Sequence, residues 1–235
     1  MKEKLATLLS AWDIHPDNEA LDRFELYAKL LEDFGRHLNL VADTDPEEIA
    51  VRHFMDSLAL LHMNMKNGAS AIDVGTGAGF PGVPVKIMRP DLNVTLLDSM
   101  GKRLDFLSEV KEKLGLDGLE IINARAEEAA CHDEHRDKYD YVFSRAVARM
   151  NILTEICLPF TAVGGEFYAM KSRQAAEEAA EAATAVRILG GCFSEDFHYK
   201  LPGKDMELII LRVKKLHSTP NGYPRRFSKI KQKPL

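Results

Sequence analysis

Ala71-Ile72-Asp73-Val74-Gly75-Thr76-Gly77-Ala78-Gly79-Phe80-Pro81-Gly82 decides the fold of this 235-residue chain. An apolar run passes straight into a turn with glycine at alternate positions. Glycine tolerates the tight backbone and lets amide groups approach a ligand closely. Downstream, short apolar runs alternate with amphipathic segments. Strands are predicted near 70–74, 93–97, 120–123, 139–144, 165–170, 192–199 and 207–213. Helices are predicted near 84–88, 102–114, 125–130, 152–160 and 174–189. Such alternation implies right-handed βαβ units and a parallel sheet. The link Leu201-Pro202-Gly203-Lys204-Asp205 is too short for a helix, so the last two strands should form an antiparallel hairpin.

Upstream, residues 1–65 read as a helical extension. Leu21, Phe24, Tyr27, Leu30, Leu31, Phe34 and Leu38 form one apolar stripe. Asp45-Pro46-Glu47-Glu48 is a helix start, with Asp45 as N-cap and Pro46 in the first turn. The helix that follows should bury Ile49, Phe54, Leu58 and Leu61. Residues 66–215 then form the α/β domain, and 216–235 a basic tail.

The composition is that of an ordinary globular protein: 46% hydrophobic, 29% charged, net charge −5. The charge is unevenly spread. Arg212, Lys214, Lys215, Arg225, Arg226, Lys229, Lys231 and Lys233 fall in the last 24 residues, with no acid among them. The preceding 211 residues carry 23 basic and 36 acidic groups, a net of −13. An acidic body with a basic tail confines attraction for anions to local sites rather than spreading it over the whole surface.

Cys131, Cys157 and Cys192 are widely spaced, which excludes a disulfide framework and fits a reducing cytoplasm. Apolar runs are too short to span a bilayer, and Met1–Trp12 lacks a signal-peptide core. Cys131-His132-Asp133-Glu134-His135 has no second ligand cluster and is read as a polar connection, not a metal site. A cytoplasmic monomer without metal or membrane contact is the expectation.

The glycine turn admits two ligands. Gly77-x-Gly79-x-x-Gly82 matches a dinucleotide fingerprint, and Asp98, 23 residues after Gly75, could accept both ribose hydroxyls in either case. Asp73 favours S-adenosylmethionine over NAD, because a carboxylate there can meet an amino-acid ammonium group. Pro81 and Pro84 should also delay the helix, which a pyrophosphate site wants at once. An NAD-dependent oxidoreductase, a ligand-free turn and a non-catalytic RNA-binding protein are the alternatives.

Further segments carry a resemblance. They are His53-Phe54-Met55-Asp56-Ser57, Asp73–Gly82, 97–107 (Leu97-Asp98-Ser99-Met100-Gly101-Lys102-Arg103 onward), Ala124-Arg125-Ala126-Glu127-Glu128, Ser144-Arg145-Ala146-Val147-Ala148, 165–171 and Tyr223-Pro224-Arg225-Arg226. Together and in order, they resemble the bacterial small-subunit ribosomal RNA guanine-N7 methyltransferases, the glucose-inhibited division protein B family. The chain departs from that pattern with Phe227-Ser228, where a glycine is expected after the arginine pair. The resemblance implies a Rossmann-like class I S-adenosylmethionine-dependent methyltransferase: α/β, with a seven-stranded, mostly parallel sheet, the C-terminal hairpin and the N-terminal helical extension. It implies cofactor contacts at Gly75, Phe80, Ala126, Glu127 and Arg145, beside Asp73, Gly77 and Asp98 from the turn itself. The implied partner is 16S ribosomal RNA of the small subunit.

Guanine N7 has an in-plane lone pair and no proton, so methylation needs positioning and charge stabilisation rather than a general base. Arg145 is the candidate beside the reacting pair. A cation gripping both O6 and N7 would block the reaction, so recognition must use O6 alone or the other base edge. Lys102, Arg103, Lys171, Arg225 and Arg226 are the candidate RNA contacts. His53 and Asp56 share a helix face and serve either the helix–sheet contact or the site.

Overall fold

The computed structural model describes residues 1–38 and 45–235; the side chains of 35–38, that of Leu38 among them, lie outside the described residues. Among those residues, one eight-stranded sheet runs in the order β3-β2-β1-β4-β5-β8-β6, with β7 also paired to β8. The strands are β1 (Ser70–Val74), β2 (Asn93–Asp98), β3 (Leu119–Asn123), β4 (Tyr139–Arg145), β5 (Thr161–Lys171), β6 (Gly191–Phe193), β7 (Phe197–Lys200) and β8 (Glu207–Lys215). The first five are mutually parallel. β8 runs antiparallel to β5 and to both β6 and β7.

The expected sixth strand, 192–199, is therefore two. β6 meets Val213–Lys215 and β7 meets Glu207–Ile210 of the same neighbour. Ser194-Glu195-Asp196 breaks the run, and the Asp196 carboxylate accepts from the Arg212 amide where a ladder partner would sit. The hairpin itself forms as read, through β7 and β8.

Sequential order reverses between β2-β1 and β4, so the carboxyl ends of β1 and β4 open a crevice at the switch point. Helices cover both faces. On one face lie α1 (Lys2–Ser10), α2 (Asn18–Leu38), α3 (Pro46–Ile49), a π-helix (Ala50–Met55), α4 (Asp56–Leu58), α5 (Gly82–Met88) and α6 (Gly101–Leu114). On the other lie α7 (Ala126–Ala129), α8 (Met150–Cys157), α9 (Ala175–Ile188) and α10 (Phe227–Gln232).

The local logic is legible. Asp45 accepts from the Glu48 amide at 3.1 Å and caps α3. Ile49, Phe54 and Leu58 are fully buried, and Leu61 is partly so. Gly115, at φ +60, ends α6 in a left-handed cap. α5 starts at Gly82, earlier than the prolines suggest. Pro84 falls within its first turn, where a missing N–H costs no helical bond.

The N-terminal helices share their core with the sheet. Tyr27 of α2 is fully buried, stacks on Phe54 and donates to the Ala78 carbonyl at 2.5 Å. A helix 51 residues upstream thus holds the glycine turn. The segment beyond β8, read from charge as a tail, is also packed down. Lys215 Nζ is fully buried and donates to Asp137, Thr219 and the Leu158 carbonyl. Arg136 grips the carbonyls of Thr219, Pro220 and Tyr223. Ile230 of α10 is fully buried in the second face.

Candidate active site

Two clefts open at the carboxyl edge of the sheet. The first, about 310 Å³, is lined by Gly75, Asp98, Ser99, Met100, Arg103, Arg125, Ala126, Glu127, Ile156 and Phe227 among others. The second, about 430 Å³, is lined by Asp56, Arg145, Lys171, Ser172, Glu178 and Tyr199 among others. Ala146 and Val147 line both, so the two clefts adjoin at these residues. Ala146 adopts φ +56, a left-handed backbone rare for alanine, which turns the chain sharply off β4. Val147 is then set against Gly75: a Cβ on Gly75 would lie 2.5 Å from Val147 Cγ2, and Gly75 itself has φ +74.

The first cleft brings together Gly75, Asp98, Ala126 and Glu127, as the sequence implied. Asp98 is nearly buried. Its Oδ2 accepts from the Gly77 amide at 3.0 Å and from Arg103 at 3.3 Å, and its Oδ1 from the Met100 amide at 2.9 Å. A carboxylate offers about four acceptor positions, so one remains for a ligand hydroxyl. Gly77 acts through this bond. Glu127, in the first turn of α7, lies 3.6 Å from Arg125.

Besides Gly77, three expected cofactor residues, Asp73, Phe80 and Arg145, are absent from the lining of the first cleft. Asp73 is fully buried and lines neither cleft. Strand alternation points it at the start of α5, where Oδ2 accepts from Thr76 Oγ1 at 2.6 Å and from the Gly82 amide at 2.8 Å. It ties the glycine turn together instead of meeting a ligand. Oδ1 has no partner among the described residues. Burial pushes this carboxyl up to about 6, against the pull of Thr76, Gly82 and the Arg145 charge. Phe80 is 5% exposed and is also absent from both cleft walls. Its ring stacks on His53 and carries the Arg145 guanidinium 4.9 Å from its centroid. It supports Arg145 from below.

Arg145 faces the second cleft. It donates to Asp56 Oδ2 at 2.8 Å and to His53 Nδ1 at 3.2 Å. A guanidinium only donates, so that His53 nitrogen carries no proton. Tyr199 donates to Asp56 Oδ1 at 2.5 Å. Nearly full burial and the Asp56 carboxylate raise the Tyr199 hydroxyl far above its ordinary value, which keeps it a donor. Asp56 therefore lines the second cleft, His53 holds Arg145 from outside its lining, and Ser57 bonds the His53 carbonyl inside the helix.

The charges assigned to RNA divide. Lys102 and Arg226 are exposed. Arg103 sits on the first cleft, paired with Asp98. Lys171 lines the second but is held by Glu178 at 2.8 Å and the Ala148 carbonyl at 2.6 Å. Arg225 is a correction. Its guanidinium makes a two-point pair with Glu155, which has 0% exposure, and its amide donates to the same carboxylate. Desolvating Glu155 demands that charge, so Arg225 is a structural pin rather than a phosphate contact. The Cys131–His135 stretch is a turn in which His135 meets the Tyr139 hydroxyl at 2.9 Å, and no group of three or more His, Cys, Asp or Glu among the described residues could hold a metal.

A model of the family described as rRNA small subunit methyltransferase G matches residues 20–200. The ribosomal RNA small subunit methyltransferase G of Desulforamulus reducens is 44% identical over 220 residues, 93% of this chain and 91% of that protein. The same-named protein of Exiguobacterium sibiricum is 40% identical over 235 residues, 100% of this chain and 99% of its own. The chain belongs to this family.

Solved structures share the fold at low identity. M. jannaschii TYW2 in complex with AdoMet gives a TM-score of 0.56 at 13% identity, covering 70% of this chain and 76% of that one. A predicted O-methyltransferase from Agrobacterium tumefaciens gives 0.55 at 15%, covering 70% and 84%. In this member of the methyltransferase G family, three site residues escaped the sequence reading. Tyr199 lies on β7, 143 residues from Asp56. Val147 lies inside the Ser144–Ala148 motif, where nothing local marks it as the neighbour of Gly75. Phe227 completes the first cleft from α10, with the Arg125 guanidinium 5.9 Å over its ring. Its place straight after the arginine pair was the one available signal. No described helix is long and apolar enough to cross a membrane.

Proposed function

We propose that this chain transfers a methyl group from S-adenosylmethionine to N7 of a guanine in 16S ribosomal RNA, in the cytoplasm. The observation that carries the reading is the shared border, Ala146–Val147, at which two clefts adjoin at the switch point of a methyltransferase-family sheet. Residues 66–215 supply both clefts, the helical extension 1–65 adds Asp56 and His53, and the segment 216–235 adds Phe227.

The first cleft suits an adenosine. Gly75 leaves its mouth free of a side chain, Asp98 retains an acceptor position for a ribose hydroxyl, and Ala126 and Glu127 lie where an adenine would end. Exposed Met100 and Val147 give it apolar lips. When bound, the cofactor supplies an electrophilic methyl on a sulfonium. The guanine takes the second cleft with N7 toward the first, over the border at Ala146 and Val147. N7 has no proton to lose, so the protein's work is to hold the base in line and to balance the charge arriving on the purine. The base must leave the helical stack to enter.

The test is labelled S-adenosylmethionine with small ribosomal subunits lacking the modification, followed by N7-specific strand cleavage. One cleavage site is expected. Cofactor binding with no cleavage anywhere would overturn the reading.

A further inference from the structure

Guanine differs from the other bases along one edge: O6 accepts while N1 and N2 donate. The second cleft carries the complement of that pattern. Arg145 supplies donors, and Asp56 supplies acceptors 2.8 Å away. Each Asp56 oxygen already has one protein donor, Tyr199 on Oδ1 and Arg145 on Oδ2. One acceptor position is left on each, two in all, for two base donors. The guanidinium plane is fixed by Phe80 beneath it and by His53 at its end. A planar, preorganised fork suits the edge of a planar base.

We propose that Arg145 and Asp56 read the O6–N1–N2 edge of the target guanine, Arg145 donating to O6 and Asp56 accepting from N1 and N2. This rests on the guanine-N7 reading above. It resolves the constraint that recognition must leave N7 open, because the edge read is the one away from the reacting nitrogen. Adenine would present a donor to Arg145 and an acceptor to Asp56, and both contacts would repel. The same contact assists the chemistry. As the N7–CH₃ bond forms and the S–CH₃ bond breaks, positive charge enters the purine and its N1–H becomes a stronger donor. A carboxylate on that proton gains strength in the transition state. Glu178 is the other acid lining this cleft, but Lys171 and the Met150 amide both bond one of its oxygens, Oε2.

The experiment compares reconstituted subunits carrying guanosine or inosine at the mapped nucleotide, since inosine lacks only the N2 amine. For the wild-type protein, kcat/KM should fall about ten- to a hundredfold with inosine, as expected for losing a hydrogen bond to a charged group. Asp56→Asn should be slower on guanosine and show a guanosine-to-inosine ratio within about threefold of unity, with S-adenosylmethionine affinity retained by calorimetry. A wild-type ratio near one overturns the proposal without any variant. So does an unchanged ratio in Asp56→Asn, or a ratio that collapses in Glu178→Gln instead. No methylation of the guanosine subunit by the wild type would sink the function itself, a distinct failure.

Discussion

At Gly75 a hydrogen atom stands where any side chain would collide with Val147. The positive φ adds strain for every other residue. Gly75→Val should leave the core folded yet abolish measurable S-adenosylmethionine binding by calorimetry; retained affinity in a folded variant would remove Gly75 from the cofactor site. Asp73 poses a different test. Its native value near 6 lies above the ordinary 3.8, so the native state holds the proton more tightly than the unfolded chain does. The group therefore adds stability at low pH that is lost as pH rises through 6. From pH 5 to 7.5 the loss is about 1.5 kcal/mol. Asp73→Asn should lack that slope, so its urea-derived stability relative to wild type should rise by about that amount over the same range. A pH-independent difference would contradict it. Sequence position placed Asp73 at the right strand end, but not on which face of the turn its carboxylate would be consumed.

Whole elements were more legible than their side chains. The glycine turn and the apolar alternation located β1 to β5 and α6 closely, because buried parallel strands write continuous apolar runs. The break between β6 and β7 was hidden, since Phe193 and Phe197 on either side both look strand-like. The docking of α10 was hidden for a stronger reason. Its anchor is a buried ion pair 70 residues apart in sequence, and charge composition cannot distinguish a pinned arginine from a free one. Arg225→Ala would strand the Glu155 carboxylate at 0% exposure and should cost about 3–5 kcal/mol in chemical denaturation. Adding Glu155→Met should recover most of that loss. Equal instability of the single and double variants would show that the pair is not what holds the segment.

For the molecule as a whole, the charge split needs revision. Of the eight basic groups in the last 24 residues, Arg212, Lys215 and Arg225 neutralise Glu166, Asp137 and Glu155 internally. Lys214, Arg226, Lys229, Lys231 and Lys233 are exposed. RNA attraction then rests on fewer charges than the sequence counted, with Arg226 close to the first cleft and Lys102 on α6 beyond Met100. Arg226→Ala and Lys102→Ala should each flatten the log–log salt dependence of RNA binding by about 0.7, one single-strand phosphate apiece. Slopes unchanged in both variants would take those side chains off the RNA.

The two-residue border has a pharmacological consequence. Because Ala146 and Val147 line both clefts, a single molecule joining an adenosine to a purine would have to span only this border. Such a tether turns the second binding event into an intramolecular one at millimolar effective concentration. It would also select for enzymes whose clefts abut in this way, a selectivity that adenosine mimics alone cannot provide.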